Sequence, residues 1–167
     1  MDKFSILIVD DDKNLLLSLK RALRNEGYLL HFATGARAAQ KTIKNTHIDM
    51  VISDYQMPGT NGLHFLQGLK DSNPEILTIM MTGVEDVNIA ARAINEAGVY
   101  KFIIKPWSNE DLKITIRRAV ESLRVIKERD HLLRKIKTRD AALQKLEKRY
   151  PGISNVVRDE EGCIISN

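Results

Sequence analysis

Three apolar runs constrain this chain more than any other feature: Ser5-Ile-Leu-Ile-Val9, Met50-Val-Ile-Ser53 and Phe102-Ile-Ile104, each followed directly by a charged residue. Near-continuous apolar runs of this kind, separated by helix-like stretches, mark strands buried on both faces, because crossover helices cover both sides of a parallel sheet. Segments 4–9, 28–33, 48–53, 76–81 and 100–104 read as strands. Between them, apolar residues recur at helical spacing: Leu15, Leu16, Leu19 and Leu23, then Ala38, Ala39 and Ile43, then Leu63, Leu66 and Leu69, then Ile89, Ala93 and Ala97. Gly27 and Gly98 fall just past two of these helices and Pro74 closely follows a third, all at helix-stopping positions. The regular alternation predicts a doubly wound α/β domain with five strands and four intervening helices.

In such sheets ligands bind beyond the carboxyl ends of the strands. Asp10 and Asp11 follow the first strand, Asp54 the third and Lys105 the fifth, so the topology gathers three carboxylates and an ammonium at one edge. A metal dication would offset the negative charge there, and Lys105 would meet an anion. That arrangement suits a phosphoryl group. Each residue taken alone has a plainer explanation. Asp10, Asp11 and Asp12 suit the start of the next helix. Asp54 suits the approach to the turn Met57-Pro58-Gly59. Lys105 fits a solvated strand end, and Thr82 fits a cap for the helix after the fourth strand. Only their joint occurrence carries the argument.

A chain of 167 residues holds one domain with a proper core and an appendage. The charge distribution locates the appendage. Residues 1–116 carry 13 Lys/Arg and 14 Asp/Glu, residues 117–149 carry 12 and 5, and residues 150–167 carry 1 and 3, so the net charge of +4 hides one segment at +7. Ser108-Asn-Glu-Asp111 after Pro106 fits a capping box, and no Gly or Pro recurs until Pro151. The expectation is a fifth helix over 108–149, a rod of roughly 60 Å at 1.5 Å per residue. Ile116, Ala119, Leu123, Ile126, Asp130 and Leu133 alternate three and four apart, and Ile136, Arg139, Leu143, Leu146 and Tyr150 resume after a one-residue slip. This reads as a flawed coiled-coil seam through 116–150, favouring a homodimer over a lone charged helix lying across its own domain. Each exposed apolar side chain on a lone helix forgoes about 1.5–3 kcal/mol of burial. Residues 150–167 read as a short hairpin-like tail. The single Cys163 excludes an intramolecular disulfide framework, and without a signal peptide or an apolar stretch near 20 residues the expected setting is the cytoplasm, with no membrane span.

Residues 1–120 resemble the receiver domain of bacterial two-component response regulators. The resemblance is carried by Ile8-Val9-Asp10-Asp11, by Asp54-Tyr-Gln-Met-Pro58-Gly-Thr-Asn-Gly62, by Thr82-Gly83 and by Lys105-Pro106, in the family's order and approximate spacing. It implies a flavodoxin-like five-stranded parallel sheet in the order 2-1-3-4-5. It also implies that Asp54 accepts a phosphoryl group from a histidine kinase or phosphotransfer protein, with Mg²⁺ held by Asp10, Asp11, Asp54 and the backbone carbonyl of Gln56. Thr82 and Lys105 would bind phosphoryl oxygens, Thr82 and Phe102 would act as the switch, with Tyr100 a second candidate aromatic, and the bond before Pro106 would be cis. Trp107 departs from the usual Phe. The implied output is transmission through the helical extension to an unidentified effector in trans, with no enzymatic activity beyond the protein's own phosphorylation and dephosphorylation.

Two rival functions are weaker. A haloacid dehalogenase-type enzyme would use Asp10-Asp11-Asp12 but lacks the surrounding motif and has no need of Asp54. Phospho-regulated binding of DNA by the basic segment, or use of that segment as a dimerisation adaptor, is the alternative output. No helix-turn-helix follows the domain, and the basic residues spread around a helix with its own apolar seam, as solvated coil flanks do. His31, His47, His64 and His131 show no metal-ligand spacing.

Overall fold

The computed structural model describes residues 3–83 and 98–151. Five strands, β1 (Ser5–Val9), β2 (Leu29–Ala33), β3 (Met50–Asp54), β4 (Leu77–Gly83) and β5 (Lys101–Lys105), form one parallel sheet in the order β2-β1-β3-β4-β5. The described helices are α1 (Lys13–Leu23), α2 (Ala36–Asn45), α3 (Gly62–Ser72) and α4 (Asn109–Arg149). The helix expected around Ile89, Ala93 and Ala97, and the hairpin-like tail with Cys163, lie outside the described residues. The fifth helix expected over 108–149 is therefore α4. The chain divides into two compact units, Met1–Leu123 and Arg124–Asn167.

Strand alternation sorts the side chains of the first unit into two cores. Leu7, Val9, Val51, Met80 and the partly buried Phe102 pack with Ala39, Leu63, Leu66 and Leu69 of α2 and α3. Ile6, Ile8, Met50, Ile52, Ile79, Met81 and Ile103 pack with Leu16, Leu19 and Leu23 of α1 and with Leu112, Ile116, Ala119, Val120 and Leu123 of α4. All five residues of β1 and of β3 are buried, as strands covered on both faces must be.

Local signals place the helices. Asp12 caps α1 by accepting from the backbone N–H of Asn14 and Leu15 at 2.8 and 3.2 Å, and Asn61 caps α3 by accepting from Leu63 N–H at 2.8 Å. Gly27 lies at φ 81°, in the left-handed region that favours glycine where the chain leaves α1 for β2. Ser108 accepts from Asp111 N–H at 3.1 Å, as the capping box requires. The Asp111 carboxylate takes the Ser108 hydroxyl at 2.7 Å, a variation on the box in which the acid binds the side chain of the cap.

Candidate metal and phosphoryl-binding site

The register explains why distant residues meet. Ile8 pairs with Ile52, and Asp54 pairs with Met81, which pairs with Ile103. Counting two residues on along each strand, Asp10, Asp54 and Lys105 project from the same sheet face at its carboxyl edge. Lys105 Nζ lies 2.7 Å from Asp54 Oδ1 and 3.1 Å from Asp10 Oδ2. Asp10 and Asp54 are 1% and 5% exposed, so these are contacts made largely away from water.

The structure divides the labour within the acidic triplet. Asp10 is buried, accepts from Asp12 N–H at 2.9 Å and pairs with Lys105. Asp11 is exposed and turns its carboxylate toward the site, while Asp12 is spent on the helix cap. Carboxylate oxygens of Asp10, Asp11 and Asp54 lie within 4.8 Å of one another. That spacing is close to the roughly 4 Å spanned by opposite ligands of a Mg²⁺ octahedron with 2.0–2.1 Å bonds. The charges fit too: three carboxylates and one ammonium leave two negative charges, which one dication balances. Gln56 contributes its backbone N–H to Asp54 and, with Asp11, lines an open cleft of about 570 Å³ beside the carboxylates.

Burial pushes the Asp54 carboxyl above the ordinary value of 3.8; the Lys105 hydrogen bond and charge oppose this, the Asp10 charge reinforces it and the Gln56 N–H opposes it. Burial also works against the charged form of Lys105. Hydrogen bonds and charge from Asp54 and then Asp10 outweigh it, and the ammonium is held above the usual 10.5. The two directions agree physically. Lys105 faces two carboxylates, whereas Asp54 faces one cation, one like charge and the loss of solvent.

The remaining sequence-named residues sort less evenly. Thr82 is 1% exposed at the end of β4, where its hydroxyl donates to the Gly83 carbonyl at 3.5 Å. It pairs with Ile104, on the opposite face parity from Lys105. Phe102 is half-buried and packs with Tyr55 on the core under α2 and α3. Tyr100 is exposed, and its hydroxyl lies 2.9 Å from Ser122 Oγ. The Lys105–Pro106 bond is cis.

Two contributions to this site lie outside the residues named as candidates. Trp107 packs on the core under α1 and α4, with its ring centroid 6.0 Å from Lys105 Nζ, at the outer limit of a cation–π contact. Gly62, the first residue of α3, is the one position where the main chain of Asp54 is approached so closely that an added Cβ would collide with the Asp54 carbonyl oxygen. Its N–H donates to the Tyr55 carbonyl at 2.9 Å, tying α3 to the strand end that presents Asp54. A glycine ending the run Asp54 to Gly62 was the available signal for this.

The profile of the response regulator receiver domain matches residues 6–117. The chain belongs to that family. It is similar to the hydrogenase transcriptional regulatory protein HoxA of Cupriavidus necator, 33% identical over 118 residues, which is 71% of this chain and 24% of that protein. The regulatory protein AtoC of Escherichia coli is 31% identical over 127 residues, 76% of this chain and 27% of the relative. This receiver-family chain thus spans about a quarter of the length of the curated relatives it matches. Among solved structures, the signal receiver domain of an HD domain-containing protein from Pseudomonas fluorescens is 31% identical with a TM-score of 0.71, over 74% of this chain and 99% of that one. Membership supports a role in two-component response regulation. No described helix is long and apolar enough to cross a membrane.

Proposed function

We propose that this receiver accepts a phosphoryl group on Asp54 from the phosphohistidine of a sensor kinase or phosphotransfer protein and signals through its helical extension to a partner in trans. The observation that carries the reading is the Lys105 ammonium held 2.7 Å from Asp54 and 3.1 Å from Asp10 at the carboxyl edge of the sheet. A carboxylate oxygen of Asp54 attacks phosphorus as the phosphorus–nitrogen bond breaks, and the imidazole leaves with the electron pair and takes up a proton. Mg²⁺ bound by Asp10, Asp11, Asp54 and the Gln56 carbonyl would supply charge neutralisation between the attacking carboxylate and the phosphoryl oxygens. Lys105 passes from the free carboxylate to a phosphoryl oxygen, giving the anion a compact positive partner that is already in place. Thr82 offers its hydroxyl to a second oxygen. This requires the side chain to leave the Gly83 carbonyl, and the movement opens space beside Phe102, coupling the phosphoryl group to the face packed by α2 and α3.

The output under this reading is the assembly or presentation of the helical extension as a cytoplasmic homodimer. No turnover of an external substrate is part of it. Phosphorylation with a small phosphodonor and Mg²⁺ tests the proposal. Intact mass should increase by one phosphoryl group in the native protein and not in Asp54→Ala, and chelation of Mg²⁺ should abolish the increase. Equal labelling of both proteins would overturn the assignment.

A further inference from the structure

In α4, Val125, Leu132, Ile136, Leu143 and Leu146, and just past its end Tyr150, are between 44% and 68% exposed. With Arg129 and Arg139 they occupy positions 125, 129, 132, 136, 139, 143, 146 and 150, alternating four and three apart without a break. This is a heptad pattern in which 129, 136, 143 and 150 are a positions and 125, 132, 139 and 146 are d positions. Ile126 and Leu133, the other large exposed hydrophobics of the stretch, both fall at e. Every large apolar side chain exposed between 124 and 150 therefore lies at a, d or e. The buried stripe Ile116, Ala119 and Leu123 belongs to the core of the first unit. The one-residue slip in the expected seam then vanishes, because two separate stripes replace one flawed one.

Resting on the reading of the helical extension as the output, we propose that residues 125–150 pair with the same segment of a second copy of this chain as a parallel, in-register, two-stranded coiled coil. Charge is compatible with this occupant, and the matching of apolar layers selects the orientation. Across a parallel seam a g residue faces the e residue of the next heptad. Lys135 at g then meets Asp140 at e of the second copy, and two-fold symmetry repeats the pair. The two seam arginines stand beside acids of their own chain. Arg129 donates to Asp130 at 3.0 and 2.8 Å, and Asp140 follows Arg139 in sequence. Their stems cover the seam while their heads stay in water. Val125, Leu132, Ile136, Leu143, Leu146 and Tyr150 then form apolar layers with their own counterparts. An antiparallel pair of the same overlap leaves Lys135 facing Ala142 and sets Glu128 against Arg149, so it gains as many ion pairs as the parallel one. But it sets Arg129 against Leu146 and Arg139 against Ile136, which breaks up the apolar layers.

The test uses the full chain with Cys163→Ser, so that introduced thiols are the only ones. Ile136→Cys at an a position should form a covalent dimer under mild oxidation several-fold faster than Thr138→Cys at c. Light scattering should report a dimer that Leu143→Glu converts to monomer while phosphoryl uptake by Asp54 is unchanged. A monomeric full chain, or Ile136→Cys linking no faster than Thr138→Cys, would overturn the proposal. Cross-linking between Arg129→Cys and Leu146→Cys in preference to Ile136→Cys would overturn the parallel orientation. A dimer that links at Ile136→Cys but takes no phosphoryl group on Asp54 would support the coil and refute the function proposed for the receiver.

Discussion

Replacing Lys105 with methionine keeps most of the stem and removes the ammonium that stands between two buried carboxylates. At an effective dielectric of 20 a unit pair separated by the observed 2.7 Å attracts by about 6 kcal/mol, and one separated by 3.1 Å by about 5 kcal/mol. Desolvation of the ions cancels most of this. The Lys105 side chain is 32% exposed while its partners are nearly closed off, so the net loss falls between that of an exposed and a buried pair, about 1–3 kcal/mol. For a domain of this size that lowers Tm by about 4–12 °C in chelated buffer. The pH dependence has a definite sign. Lys105 has a raised value, so its contribution is complete below 10.5 and is lost as pH rises through its folded value. The gap between native protein and variant should close in that alkaline range. The freed oxygens of Asp54 and Asp10 should also bind Mg²⁺ more tightly, so saturating Mg²⁺ should shrink the gap while phosphorylation remains slow. Differential scanning fluorimetry with and without Mg²⁺ reads all of this. An unchanged Tm in chelator, or a deficit that Mg²⁺ leaves untouched, would refute the electrostatic account of the site.

Asp54→Asn should be more stable than native protein at neutral pH, because the native carboxylate is charged there against its burial. The advantage should diminish as pH falls through the raised value toward 3.8, where native Asp54 takes up its proton, and urea melts across pH measure it. Asp12→Ala should cost about 1 kcal/mol through loss of the α1 cap and leave Mg²⁺ affinity unchanged, whereas Asp11→Ala should weaken Mg²⁺ binding with little effect on stability; calorimetric titration paired with thermal melts separates them. Gly62→Ala should destabilise by about 1–3 kcal/mol and slow phosphorylation by displacing the strand end that carries Asp54, as melts and labelling rates would record. Trp107 is the only tryptophan and sits 6.0 Å from the Lys105 ammonium, so its emission should change when the site is phosphorylated and should not respond in Asp54→Ala.

Strand positions were legible in the sequence to within a residue or two. β1 and β3 are buried on both faces as their apolar runs predict, whereas the run Phe102-Ile-Ile104 lies in an edge strand that is only partly buried, with Ile104 exposed, because among the described residues no strand lies beyond β5 to cover it. β3 extends to Asp54 and β5 to Lys105, so these two end their strands, whereas Asp10 and Asp11 follow β1. The strand order came from family resemblance, since apolar periodicity reports burial and says nothing of which strand lies beside which. For the same reason three adjacent aspartates look alike in sequence. Which one is buried beside a lysine, which faces the cleft and which caps a helix depends on backbone direction at the turn. The glycine ending the run Asp54 to Gly62 signals a close approach without naming the Asp54 carbonyl as its partner, and the reach of Trp107 toward Lys105 is a contact across the fold for which residue spacing carries no signal.

Borohydride reduction of the phosphorylated chain, followed by peptide sequencing, tests the central claim most directly, because hydride converts an aspartyl phosphate to homoserine and leaves free carboxylates alone. The account predicts homoserine at position 54 and nowhere else, dependent on Mg²⁺ during phosphorylation. Homoserine at position 10 or 11, or a phosphoryl group that survives reduction on another type of side chain, would contradict it.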